Sequence, residues 1–136
     1  MWSPYVVGSP FPAVDSEYQL EDLGSQYRLS YKEGPASVAL TMDKDSTVGA
    51  VMVIRPEVNS VTWPQFTKTS KGFLPVSFDN DVRIPAKGGA AHVTTFITYQ
   101  EVSGLQLPKM IRNNVTSSGT SYESEVALTG CAATKR

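Results

Sequence analysis

Apolar and polar residues alternate along most of this chain with the two-residue period of a β-strand that is buried on one face. The alternation is clearest at 26–32, QYRLSYK, and at 37–42, SVALTM. No segment shows the helical period that marks an amphipathic α-helix. The pattern therefore predicts an antiparallel sheet with one face buried and the other in contact with water.

The stretch 91–132 predicts three consecutive antiparallel strands joined by two tight turns. The dipeptide Ser-Gly at 103–104 and the run Ser-Ser-Gly at 117–119 are suited to such reversals. The last of the three strands carries Tyr122 and Val126 on one face and glutamates on the other. This meander is suited to burying one side.

Five earlier segments also predict strands: 17–23, 26–32, 37–42, 47–54 and 73–78. Because 47–54, TVGAVMVI, is apolar on both faces, we expect it to be the most buried strand. Pro75 indicates an edge strand or a bulge. Two polar stretches, 57–72 and 79–89, have the composition of long connections. The predicted fold class is all-β: an antiparallel meander of seven or eight strands that forms a half-open barrel or a sandwich.

A chain of 136 residues suits one domain, so residues 1–136 are predicted to form a single all-β unit. Residues 1–16 contain three prolines and predict an irregular lead-in that packs through its aromatic side chains. The first residues lack the features of a signal peptide. Because Trp2 and Tyr5 are unusually apolar for a free terminus, the chain is either a whole domain or the C-terminal part of a longer protein.

Composition disfavours several classes of protein. Hydrophobic residues make up 40% of the chain and charged residues 18%, with a formal net charge of -1, which disfavours disorder and non-specific nucleic-acid binding. Cys131 is the only cysteine, so an internal disulfide and a cysteine metal cage are excluded within this chain. The acidic pairs at 43–45 and 79–81 lack the glycine and distal glutamate of a calcium loop. We predict neither a metal site nor a cofactor.

His92 is the only histidine, so a histidine-based hydrolytic site would have to use it. The sequence places no nucleophile beside it, and its carboxylate partner would be Asp79 or Asp81. The chain is therefore predicted not to be an enzyme, with a hydrolase built on His92 as the competing hypothesis.

The stronger signal is a surplus of aromatic and methionine side chains at alternating strand positions. If the sheet curves without a covering helix, its concave face needs a ligand, a lid or a partner. If the two halves of the sheet fold over each other, the same side chains are simply core. The period does not say which face is concave. The candidate ligand-binding residues are Tyr27, Leu29, Tyr31, Leu40, Met42, Phe78, Phe96, Tyr99 and Met110.

Several short motifs resemble the outer-membrane lipoprotein-sorting carriers and related bacterial envelope proteins. They are YRL at 27–29, the polar turn at 43–46, the strand at 48–54, GFLP at 72–75 and YQEVSGLQLP at 99–108. The resemblance implies an apolar concavity that holds acyl chains, in the periplasm or cell envelope of a Gram-negative-type bacterium, and no catalytic residue. Members of that group carry helices that line and close the cavity, and no such helices are predicted here.

The predicted function is non-enzymatic binding of an apolar or acyl-chain ligand, or of a lipidated protein, in the bacterial cell envelope. The chain would be at most peripheral to a membrane and would have no nucleic-acid partner. The alternative is a structural or protein-interaction module of a larger envelope protein. That alternative predicts exposed apolar surface and homodimerisation through sheet edges.

Overall fold

The computed structural model describes residues 12, 15–45, 47–132 and 134, and its strands in these ranges form one antiparallel sheet of nine strands. In chain order the strands are β1 (Tyr18–Asp22), β2 (Gln26–Glu33), β3 (Ala36–Asp43), β4 (Val48–Ile54), β5 (Asn59–Thr69), β6 (Gly72–Ile84), β7 (Gly89–Val102), β8 (Leu105–Ser117) and β9 (Thr120–Ala127). A 3-10 turn, Pro85–Lys87, connects β6 to β7. Each strand pairs with the next in the chain, and the sheet is not closed into a barrel. The predicted all-β antiparallel meander is confirmed, and the predicted lead-in at 1–16 lies largely outside the described residues.

The structure has nine strands rather than the predicted seven or eight because one stretch predicted as a connection forms β5, and a second such stretch lengthens β6. Residues 57–72 contain β5, and residues 79–84 continue β6. These predictions were wrong because the polar residues there pair across the sheet: Thr62 lies opposite Asn80, and Trp63 lies opposite Asp79. Polar residues form the same backbone hydrogen bonds between strands as apolar residues do, so polar composition alone does not exclude a strand.

Three prolines lie in parts of strands that pair with a neighbouring strand on one side only. Pro64 in β5 lies beyond the residues that pair with β4, and Pro75 in β6 precedes those that pair with β7. Pro108 in β8 likewise lies outside the segment that pairs with β9. Because proline has no amide hydrogen, it is tolerated where no second neighbour needs one. The register also shifts by one residue next to Pro75, so the expected edge or bulge is confirmed.

The register assigns each strand residue to one of two faces, because directly paired residues of antiparallel strands point the same way. We call the two surfaces face A and face B. Leu40 is fully buried and lies on face A, and so does every other buried apolar side chain of the described strands. These residues are Leu29, Ala36, Val38, Leu40, Val48, Val51, Phe78, Ile97 and Ile111. Face A therefore holds the core.

The core consists of two clusters on face A. The first core cluster joins β2, β3 and β4 through Leu29, Val38, Leu40, Val48 and Val51, with Phe66 of β5 packed against it. The second core cluster joins β6, β7 and β8 through Phe78, Ile97 and Ile111. The expectation that 47–54 is the most buried strand is wrong. That distinction belongs to β3, because β4 turns Met52 and Ile54 toward exposed face B.

Candidate functional site

The nine candidate ligand-binding residues divide unequally between the two faces. Face A holds Tyr27, Leu29, Tyr31, Leu40, Met42, Phe78 and Tyr99, while face B holds Phe96 and Met110. Leu29, Leu40 and Phe78 belong to the core clusters and are almost completely covered. The sheet thus brings seven of the nine to one face and leaves Phe96 exposed on the other. Their role toward a ligand stays a prediction.

A groove of about 1000 Å³ lies beside the first four strands and is lined by residues 16–19 and by parts of β2, β3 and β4. Most of its lining side chains lie on face B, opposite the core. The register arranges them in two rows that cross the strands. One row runs Ser30, Ala39, Met52, and the other runs Lys32, Ser37, Ile54.

This groove is amphipathic across its width. At the β2 side it presents the Ser30 hydroxyl and the Lys32 ammonium group, and at the β4 side it presents Met52 and Ile54. Met52 is 41% exposed and Ile54 46% exposed. Large apolar side chains that remain in water on one side of a groove, with a cation on the other side, form the kind of surface that an amphiphile covers.

The sequence contained a signal for this groove that the strand assignment missed. Residues 47–54 are apolar on both faces, and this pattern predicts burial on both sides. In the structure one face of β4 joins the first core cluster, and the other face supplies the apolar side of the groove. The apolar surface continues onto β5, where Val61 lies directly opposite Met52 and Trp63 is exposed.

Face B also carries a polar cluster around His92. Its Nδ1 lies 2.6 Å from Asp81 Oδ1, and its Nε2 lies 3.3 Å from Asp79 Oδ1. Thr94 donates its hydroxyl to Asp79 Oδ1 at 2.9 Å and also lies 3.3 Å from His92 Nε2. The register explains the geometry, because His92 pairs with Asp81 and Thr94 pairs with Asp79 across β6 and β7.

The two carboxylates favour the charged form of this imidazole. The hydrogen bond that the His92 ring donates to Asp81, and then the charge of Asp81, raise the pKa of His92 above the ordinary 6.5, against the opposing effect of burial. Both ring nitrogens lie within hydrogen-bond distance of a carboxylate oxygen, so neither is positioned to take a proton from a substrate. The described residues contain no group of three or more His, Cys, Asp and Glu side chains that could hold a metal ion.

The Asp81→Asn substitution is expected to lower the pKa of His92 toward 6.5, because it removes the main partner of the imidazolium. The folded-state pKa is raised, so His92 contributes stability that is fully present below 6.5 and is lost as the pH rises through the folded value. The stabilisation is small because the side chain is 49% exposed. An NMR titration of the imidazole checks the shift. Glu101→Gln, distant along β7, is the control, and an unchanged midpoint in Asp81→Asn would contradict the assignment.

Side chains rather than a backbone ladder connect two hairpins at one end of the sheet. The ends of β5–β6 and β7–β8 extend past the last β6–β7 pair, and the Tyr99 hydroxyl donates to the Pro75 carbonyl across this gap. Burial raises the pKa of Tyr99. Lys71 Nζ donates to the Gly104 carbonyl at 2.9 Å. These two side-chain contacts join the hairpin ends in the region where the backbones of β6 and β7 do not pair.

The fold and the groove together define an open, single-sheet antiparallel domain with its core on one face and an amphipathic groove on the other. Comparison with protein-family models, with curated proteins and with solved structures finds no match for this chain. The described residues contain no helix with the length and apolarity needed to span a bilayer.

Proposed function

We propose that this chain is a non-enzymatic binding domain for an acyl-chain or similar amphiphilic ligand, and that the groove on face B is its site. The observation that carries the proposal is the exposure of Met52 and Ile54 in a groove that also presents the Lys32 ammonium group. Covering these apolar side chains removes them from water, which is favourable by about 25 cal/mol per Å².

The groove fits such a ligand in size and in polarity. Its volume of about 1000 Å³ is at the upper end of the roughly 300–1,000 Å³ typical of small-molecule sites. An anionic head group would lie near Lys32 and accept hydrogen bonds from the Ser30 and Ser37 hydroxyls. The hydrocarbon chain would then cross β3 and β4 over Met52 and Ile54.

The cell envelope is part of the same proposal. It is supported by the resemblance of the 99–108 motif and its companions to the lipoprotein-sorting carriers, whose ligands are acyl chains. A lipidated protein would present the same chemistry to the groove as a free acyl chain, with the polypeptide outside it.

Native mass spectrometry of the purified chain, followed by organic extraction, tests the proposal directly. A monomer that carries a fatty acid or phospholipid supports it and identifies the class of ligand. If the chain carries nothing, titration with oleate and displacement of a fluorescent fatty acid give the second measurement. The absence of binding in both would overturn the proposal.

Ile54→Asp is expected to weaken oleate binding at least about tenfold. The bound hydrocarbon chain would have to cover a carboxylate and strip it of water, which is unfavourable. Phe96→Asp is the matched control, because Phe96 is equally exposed on the same face and does not line the groove. Displacement titrations of both variants, with circular dichroism as the check of folding, measure the difference. Loss of binding in Phe96→Asp alone would move the site to the residues that the sequence pattern predicts.

Lys32→Gln separates the head group from the hydrocarbon chain. We expect this variant to bind oleate more weakly and to bind a neutral monoacylglycerol as well as the wild type does, since only oleate pairs with the ammonium group. Equal losses for the two ligands would mean that Lys32 acts through packing and not through charge.

A protein-interaction module is the second candidate function, and the two edge strands favour it. Tyr18 and Leu20 of β1 and Tyr122 and Val126 of β9 are exposed on face A, the face that holds the core. Apolar side chains at both margins of a core face are suited to contact with another protein surface. Analytical ultracentrifugation distinguishes the two candidates, because a ligand-free dimer would favour the module and a ligand-bound monomer the carrier.

A further inference from the structure

The last strand of the sheet presents an open edge. Among the described residues β9 pairs only with β8, and each of its residues from Thr120 to Ala127 is exposed. An unpaired edge offers a row of backbone donors and acceptors to any extended chain that approaches it. Native edges are often shortened or bulged, whereas the β8–β9 register is regular over the whole strand.

The backbone groups that face outward can be identified from one hydrogen bond. Leu128 donates its amide to the Lys109 carbonyl of β8. Alternate residues of an antiparallel strand direct their N–H and C=O groups to the same side, so the even-numbered residues of β9 bond to β8. The outward groups therefore belong to the odd-numbered residues Ser121, Glu123, Glu125 and Ala127.

The side chains of β9 divide between apolar and acidic. Tyr122 and Val126 lie on face A, and Glu123 and Glu125 lie on face B. Arg112 of β8 donates to Glu125 at 3.3 Å, whereas Glu123 lies opposite Asn114 and makes no ion pair with any described residue. The edge thus combines free backbone groups, apolar contacts on one face and net negative charge on the other.

A second copy of this chain is a poor occupant for the edge. Two face-matched antiparallel overlaps of two β9 strands are equally long. The one centred on Ser124 places Glu123 of each copy opposite Glu125 of the other, and the one centred on Glu123 places the two Glu123 residues opposite each other. Like charges directly opposite each other destabilise strand pairing. Pairing of β9 with β1 of another copy offers Glu123 no basic residue from β1, because the only charged residues of β1 are Glu21 and Asp22, which already bond to Arg28 and Lys44.

We infer that the β9 edge binds an extended segment of a different protein, with Lys or Arg at alternate positions and apolar residues between them, which adds a tenth strand to the sheet. Backbone hydrogen bonds to the odd-numbered residues supply the general affinity, and the glutamates select the basic sequence. The site is five strands from β4, about 25 Å at the usual strand spacing. It is therefore independent of the proposed groove ligand.

The experiment uses a labelled peptide, Lys-Val-Lys-Val-Lys-Tyr-Thr, and a matched peptide with Glu in place of Lys. We expect the basic peptide to bind the full chain with amide chemical-shift changes confined to β8 and β9, and the acidic peptide not to bind. Glu123→Lys combined with Glu125→Lys should reverse this preference, with at least a tenfold loss for the basic peptide. Both positions are exposed, so the double variant is expected to fold.

Ser121→Pro tests the strand geometry without a change of charge. It removes one outward N–H, so binding of the basic peptide should fall at least fivefold, while Ser121→Ala, which keeps that N–H, should bind like the wild type. Retained binding in Ser121→Pro, or an unchanged preference in the charge-reversed variant, would overturn the inference. So would a wild-type dimer that becomes monomeric in Ser121→Pro, since the occupant would then be a second copy. Oleate titration of these variants reports on the groove separately.

Discussion

Replacing Leu40 by alanine is expected to lower the free energy of unfolding by about 3 kcal/mol, within the range of 2–5 kcal/mol for buried leucines. Leu40 is the one large side chain of the described residues with no exposed surface. It lies opposite Leu29 on one neighbouring strand and Val51 on the other. The truncation therefore leaves a cavity that strands on both sides border. Urea denaturation followed by circular dichroism measures the loss.

Leu20→Ala is the matched control for this prediction. Leu20 is the same residue type, lies on the same face and pairs with Leu29, but it is 59% exposed. Its truncation should cost less than about 1 kcal/mol because little surface leaves water on folding. Equal losses for the two variants would show that the centre of the first core cluster is not at β3.

The strands that the sequence predicted best are those with strict alternation and a recognisable turn. β2 and β3 have a clear two-residue period, and so does the meander β7–β9. The turn between β8 and β9 places Ser118 and Gly119 at positive φ, 50° and 76°, which is the conformation of a two-residue hairpin turn. Local chemistry determines such features, so one sequence is enough to find them.

Features that depend on register between strands were not predictable in the same way. The period groups Met52 with Ile54, but it does not say that Lys32 and Ser37 lie in the same row. That row exists because two hairpins in succession fix which residues face each other. For the same reason the pairing of His92 with Asp81 was open, although both residues were candidates. Sequence separation of 11 residues gives no sign of a 2.6 Å contact.

Phe78→Ala is expected to cost about 3–5 kcal/mol, the usual range for a buried phenylalanine. Phe78 is 4% exposed in the second core cluster, between Pro64 of β5 and Thr95 of β7. Phe96→Ala is the control, because Phe96 lies on neighbouring β7 with its side chain on exposed face B and should lose less than about 1 kcal/mol. Urea denaturation measures both, and similar losses would contradict the assignment of the core to face A.

The double variant Leu40→Ala/Phe78→Ala then tests whether one sheet with two clusters unfolds as one unit. The two residues belong to different clusters and are not paired with each other, so their losses should add within about 0.5 kcal/mol. If the ladder between β5 and β6 transmits unfolding across the sheet, each variant shows a single transition with the wild-type denaturant slope. A second transition in Phe78→Ala would mean that β1–β4 stay folded after the other half opens. In that case the groove, which lies beside those strands, would keep its shape and the proposed ligand while the β9 edge is lost.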